Sequence, residues 1–205
     1  MTQTSFIHRF IPADNPNEKR TLLLLHGTGG DENDLVPLGQ TILPGAAILS
    51  PRGRISEGGM ARFFRRFAEG VFDVPNIHEE ANALAEFVSA AAQEYGFDPR
   101  NVVAAGFSNG ANMAHSLLML HRDTIQEAVL IRAMMTLPDL TPLSLEGKRI
   151  FMSNGKSDPI MPIPEVEALA NQFKTAGAEV TQLWLDAGHN LTRTEVDDIR
   201  TWLAS

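Results

Sequence analysis

Apolar residues along this chain fall into two spacings. Seven short stretches, 6–11, 21–26, 46–50, 101–107, 127–132, 149–153 and 179–185, are strand-like, several of them apolar almost without interruption, and end in turn-forming residues. Runs of that length without alternation suit strands covered on both faces. Between them, apolar positions recur at steps of three and four. Ile77, Ala81, Leu84, Val88, Ala91 and Tyr95 predict a helix over about 77–95. Asn76 with Glu79 three residues on resembles a capping box, and Gly96 stands where a C-terminal glycine cap belongs. A second helix is expected after residue 108 to about 121. A third covers 164–176, with Pro164 at its start and Gly177 after its end. The last begins near Thr192, has Glu195 three residues on, and buries Val196, Ile199 and Leu203. The polar stretch 12–17 reads as a hairpin turn between the first two strands.

Strands alternating with helices imply an α/β fold with a mostly parallel sheet and helices on both faces. In such sheets the chemistry lies at the C-terminal ends of the strands. The length of 205 residues fits one domain over 1–205. No repeat, low-complexity tract or long linker interrupts it.

Composition narrows the function. A net charge of −8 argues against a nucleic-acid partner, which needs a basic surface. The absence of cysteine excludes disulfides, thiolate metal sites and a cysteine nucleophile. The N-terminal residues lack the basic start and apolar run of a signal peptide. No apolar stretch approaches the ~18 residues of a membrane span. The expectation is a cytoplasmic protein without membrane insertion.

The residues that carry chemistry follow the apolar runs. Gly106-Phe-Ser-Asn-Gly110 joins a predicted strand to a predicted helix, the context in which Gly-x-Ser-x-Gly presents a nucleophile, here Ser108. The turn is so tight that positions two residues either side of the serine have no room for side chains. A serine hydroxyl needs a positioned base. Of six histidines, His189 alone follows the last strand in a loop leading to the final helix. His26 reads as shaping a glycine-rich loop, His115 and His121 as packing or surface residues, and His8 and His78 have no better claim. Asp158, after the strand 149–153, is the expected acid that orients His189. Asp186 is its rival, but it lies only three residues from His189. The order Ser108, Asp158, His189 is one in which such triads occur.

Leu25-His-Gly-Thr-Gly-Gly-Asp-Glu-Asn-Asp-Leu35 reads as an oxyanion loop. The expected donors are the backbone N–H groups of Thr28 and Asn109. A phosphate-binding loop is excluded because no Gly-Lys-[Ser/Thr] ending follows. A calcium loop fails because the EF-hand spacing and its distal glutamate are missing. Otherwise the acidic cluster is a polar helix start, with Asp31 as a cap.

Together with Ser50-Pro-Arg-Gly53 and residues 62–73, these motifs resemble the phospholipase/carboxylesterase family of α/β hydrolases, in its bacterial MhqD-like branch. The resemblance covers nearly the whole chain. It implies the α/β-hydrolase fold, cleavage of small to medium ester substrates through an acyl-enzyme, no cofactor, no metal, and homodimers. Two positions depart from many relatives. Asn109 stands where they carry Gln, and Asn154-Gly155 where they carry His-Gly. Alternative reactions on the same triad are lysophospholipase, thioesterase or dienelactone-type lactone hydrolysis. A non-catalytic binding protein is the remaining class.

Residues 62–73 interleave Phe63, Phe64, Phe67 and Phe72 with Arg62, Arg65 and Arg66. Two readings stand open: a short amphipathic helix packing its aromatics on the core, or a border of the substrate pocket whose basic groups attract acidic substrates. The expected pocket walls are Phe63, Phe64, Phe72, Met134 and Ile160. Only about seventeen residues separate Ile131 from Arg149, too few for a cap domain, so an open site is expected.

Overall fold

The computed structural model describes residues 6–141 and 143–205. Part of the N-terminal stretch read for a leader, residues 1–5, lies outside them. Strand β1 (His8–Ile11) is followed by β2 (Thr21–Leu25), α1 (Val36–Ile42) and β3 (Ala47–Pro51). Two small hairpins come next, β4 (Ile55–Glu57) with β5 (Met60–Arg62), and β6 (Arg66–Ala68) with β7 (Val71–Phe72). Then come α2 (Val74–Tyr95), β8 (Val102–Phe107), α3 (Asn109–Leu120), β9 (Glu127–Ile131), β10 (Arg149–Gly155), α4 (Ile163–Thr175), β11 (Glu179–Leu185) and α5 (Arg193–Leu203).

The main sheet has seven strands in the order β1-β3-β2-β8-β9-β10-β11. Only β1 runs antiparallel to its neighbour; the other pairs are parallel. All seven predicted strands are present. The expected hairpin at 12–17 is not: β1 pairs with β3, which lies between β1 and β2. Residues 12–20 therefore cross the width of one strand: Asp14 and Asn15 donate their N–H groups to the Gly45 carbonyl, and the Glu18 N–H closes a local turn on the Asn15 carbonyl.

Every residue of β2 is buried, because successive side chains point to opposite faces and both faces are covered. Leu23 and Leu25 join a core formed with α2, α3 and α4. Leu22 and Leu24 join a second core on the opposite face, with α1 and α5. Helix α3 is buried through most of its length, consistent with its central position over β8 and β9.

Two caps differ from expectation. Helix α2 begins a turn earlier than its apolar period, at Val74, with Asp73 as the N-cap accepting the Asn76 N–H. Asn76 is therefore inside the first turn, and its side-chain oxygen accepts the Arg65 N–H instead of capping. Asp31 accepts the Asn33 N–H in a local turn, while α1 starts only at Val36. The caps at Gly96, at φ 74°, and at Thr192–Glu195 are as expected; the latter forms a reciprocal capping box.

Residues 62–73 form no helix. They run from β5 into the β6–β7 hairpin, turning at Gly70 with φ 72°. Phe63 and Phe64 are buried in the core, Phe72 is half-buried and Phe67 is exposed. Arg62, Phe63 and Phe64 are buried in succession and residues 67–71 are exposed in succession, a pattern with no 3.6-residue period. Among the described residues between β9 and β10, 132–141 and 143–148, there is no cap domain. Among the described residues, no helix is long and apolar enough to cross a membrane.

Candidate active site

The ends of β8, β10 and β11 converge on one point. Phe107 closes β8, and Ser108 turns the chain into α3 with φ 50° and ψ −114°. That is left-handed space, which a non-glycine residue occupies only when its surroundings hold it there. The Ser108 N–H donates to the Ile131 carbonyl of the next strand at 2.8 Å, one of the restraints that hold it. The glycines on either side are required by packing. A Cβ at Gly110 would stand 1.9 Å from the Leu25 carbonyl oxygen, and one at Gly106 would stand 2.6 Å from the Ala111 nitrogen. Helix α3 can thus press its first turn against the end of β2.

His189 follows β11. Its Nε2 lies 3.0 Å from Ser108 Oγ, and its Nδ1 lies 2.8 Å from Asp158 Oδ2. An ionised carboxylate only accepts hydrogen bonds, so Nδ1 carries the proton. Nε2 is then left as an acceptor for the serine hydroxyl. Asp158 is buried, and its other oxygen accepts the Ile160 N–H at 2.9 Å. Its loop sits close to that of His189 because Gly155 has no side chain: a Cβ there would stand 2.4 Å from the Gly188 carbonyl oxygen. The rival Asp186 is turned outward, paired with Lys156 Nζ at 2.9 Å on the surface. His8, His26, His115 and His121 have other partners. His26 spans from the Gly27 carbonyl to the Gly53 N–H, shaping its loop, and burial pushes its imidazole below the ordinary range.

Thr28, on the loop after β2, and Asn109, the first residue of α3, line the same cleft as Ser108. Among the described residues, neither backbone N–H has a hydrogen-bond acceptor. Both residues are held by the 62–63 dipeptide. Arg62 Nη1 donates to Thr28 Oγ1 at 2.5 Å, and the Phe63 N–H donates to Asn109 Oδ1 at 2.7 Å. Asn109 Nδ2 is buried without a partner.

The cleft is small, with about 270 Å³ of empty space that includes open solvent at its mouth. Phe72, Met134 and Ile160 line it beside Ser108 and His189. Phe63 and Phe64 do not; they pack beneath it, Phe63 against the His26 ring and Phe64 against Phe72. Arg62 and Arg66 also line the cleft. Glu57 pairs with both arginines and Glu69 with Arg66, so this wall is close to neutral. Arg65 points away, to Asp73.

Asn112, Met161 and Arg132 line the cleft and were not singled out from the sequence. Arg132, just beyond β9, is a buried cation with φ 57°, and it lines the cleft. A charged residue closing an apolar run was the signal available for it.

A family model described as the alpha/beta hydrolase fold matches residues 72–197. The chain belongs to the α/β-hydrolase family. It falls in the MhqD-like bacterial branch, being 40% identical to MhqD of Bacillus subtilis (strain 168), a protein named as a hydrolase, over 88% of this chain and 90% of that one. A carboxylesterase from Bacillus cereus superposes with a TM-score of 0.93 at 42% identity, covering 96% of this chain and 92% of that one. YahD, solved with malic acid, superposes with a TM-score of 0.89 at 32% identity, covering 96% and 97%.

Proposed function

We propose that this α/β hydrolase is a serine esterase that cleaves carboxylic esters of small to medium size through an acyl-enzyme. The observation that carries the reading is the continuous hydrogen-bond chain from Ser108 through His189 to Asp158. The likeness to a B. cereus carboxylesterase supports the ester as substrate class.

In this mechanism Ser108 Oγ attacks the ester carbonyl while His189 Nε2 takes its proton. Asp158 holds the imidazole in the tautomer that makes this possible and stabilises the imidazolium. The backbone N–H groups of Thr28 and Asn109 receive the negative charge that develops on the carbonyl oxygen. Collapse releases the alcohol, protonated by His189, and leaves the acyl group on Ser108. Water, deprotonated by the same imidazole, then releases the acid.

A shallow, cap-free cleft favours short acyl groups. The test is a series of p-nitrophenyl esters from acetyl to palmitoyl, run beside thioesters and lactones, with kcat/KM for each. Short esters are expected to exceed palmitoyl esters by roughly tenfold or more, as apolar groups find no pocket to fill. A clear preference for thioesters or lactones would move the assignment to another reaction of the same triad.

A further inference from the structure

We propose that Arg132 is a positioning residue for the general base, holding the loop on both sides of His189. The proposal rests on the triad reading above. The Arg132 side chain is fully buried, and its three nitrogens divide their bonds among separate elements. Nε donates to the Gly188 carbonyl at 3.0 Å, and Nη2 donates to the Asn190 carbonyl at 2.8 Å. These carbonyls flank His189 in sequence. Nη1 donates to the Ser153 carbonyl at 3.0 Å, inside β10. One guanidinium thus ties the histidine loop to the strand that leads to Asp158.

The charge has its own partner. Glu195 Oε2 lies 3.1 Å from Arg132 Nη2, and the glutamate is itself held by Ser153 Oγ at 2.9 Å and by the capping box of α5. Asp158 Oδ2, the oxygen that accepts from His189, is 4.0 Å from Arg132 Nε. Only the planar guanidinium fork can reach two carbonyls on one loop, a third on a strand and a carboxylate on a helix. Its backbone supports the same view. Arg132 and Ser108 are the only non-glycine residues with positive φ among the described residues, and they follow directly on paired positions Ile131 and Phe107 of adjacent strands. Strain of this kind persists where surrounding contacts over-determine it.

A purely structural role would also explain a buried ion pair, so the test must separate the two. Arg132→Lys keeps a cation for Glu195 but offers one nitrogen for both carbonyls. Arg132→Met combined with Glu195→Gln removes both buried charges, and with them the cost of leaving one unpaired. Each protein is titrated with a fluorophosphonate so that rates are counted per reactive Ser108. The expected result is a kcat lower by roughly 10²-fold in both proteins, the scale of a misplacement near 1 Å, with KM changed little. The double variant is also expected to melt close to the parent. Wild-type kcat per titrated site in Arg132→Lys, or in the double variant, would overturn the proposal. Undiminished probe uptake by Ser108→Ala would instead overturn the triad reading on which it rests.

Discussion

The hydroxyl of Ser108 reaches His189 because the backbone beneath it is held at φ 50°, with neighbours that leave no room for relaxation. This much was legible in the sequence, since Gly-x-Ser-x-Gly between a strand and a helix describes a local geometry. Asp158 and His189 were legible for the same reason: each follows an apolar run in the expected order. Arg132 was not. Its partners at 153, 188, 190 and 195 lie far along the chain, and no local pattern announces them. At this scale the role of Asp158 is directly testable. Asp158→Asn preserves the shape but lets the side chain present an amide N–H, which selects the imidazole tautomer that cannot accept the serine proton. A kcat loss of about 10⁴-fold is expected from steady-state kinetics, with the fold intact by circular dichroism.

Among the elements, the seven main strands were readable as short strand-like runs, the five inner ones buried on both faces, whereas the small hairpins were not. Strands of two or three residues, such as β7, carry too few positions to show a period. Residues 62–73 mix arginine and phenylalanine, and whether such a stretch coils or extends depends on contacts outside it. Here the decisive ones reach across to Thr28 and Asn109, so the segment ends up holding the two candidate oxyanion donors. The antiparallel placement of β1 beside β3 was similarly hidden, because pairing partners 40 residues apart leave no local mark. The junction of β8, α3 and β2 yields a stability prediction. Gly110→Ala places a Cβ against the Leu25 carbonyl, backbone that cannot swing away. The expected loss is about 3 kcal/mol, the upper part of the range for overpacking, measured by urea denaturation.

For the molecule as a whole, two apolar cores enclose the sheet, and one of them holds a histidine. His115 on α3 is fully buried between Thr136 and Gln172, and burial pushes its imidazole down to about 4 from an ordinary 6.5. As pH falls below 6.5, the unfolded chain takes up a proton there and the folded chain does not until about pH 4. Unfolding therefore binds a proton across that window, and stability falls with pH through it; above it, His115 adds no pH dependence. The expected contribution is about 3 kcal/mol between the two limits. Glu18 and Glu32, held below their ordinary range by hydrogen bonds from Arg20 and Arg52, also lose stabilisation in acid. Comparison with His115→Gln isolates the histidine: denaturation curves near neutral pH and near pH 4 should differ less for the variant than for the parent by about that amount.

The central claim is that Ser108 becomes acylated, and mass spectrometry of the protein quenched during turnover of a slowly deacylating ester tests it most directly. One acyl group per chain on the peptide containing Ser108, and none on Ser108→Ala, is the predicted result. An adduct on a different side chain, or undiminished ester hydrolysis by Ser108→Ala, would contradict it.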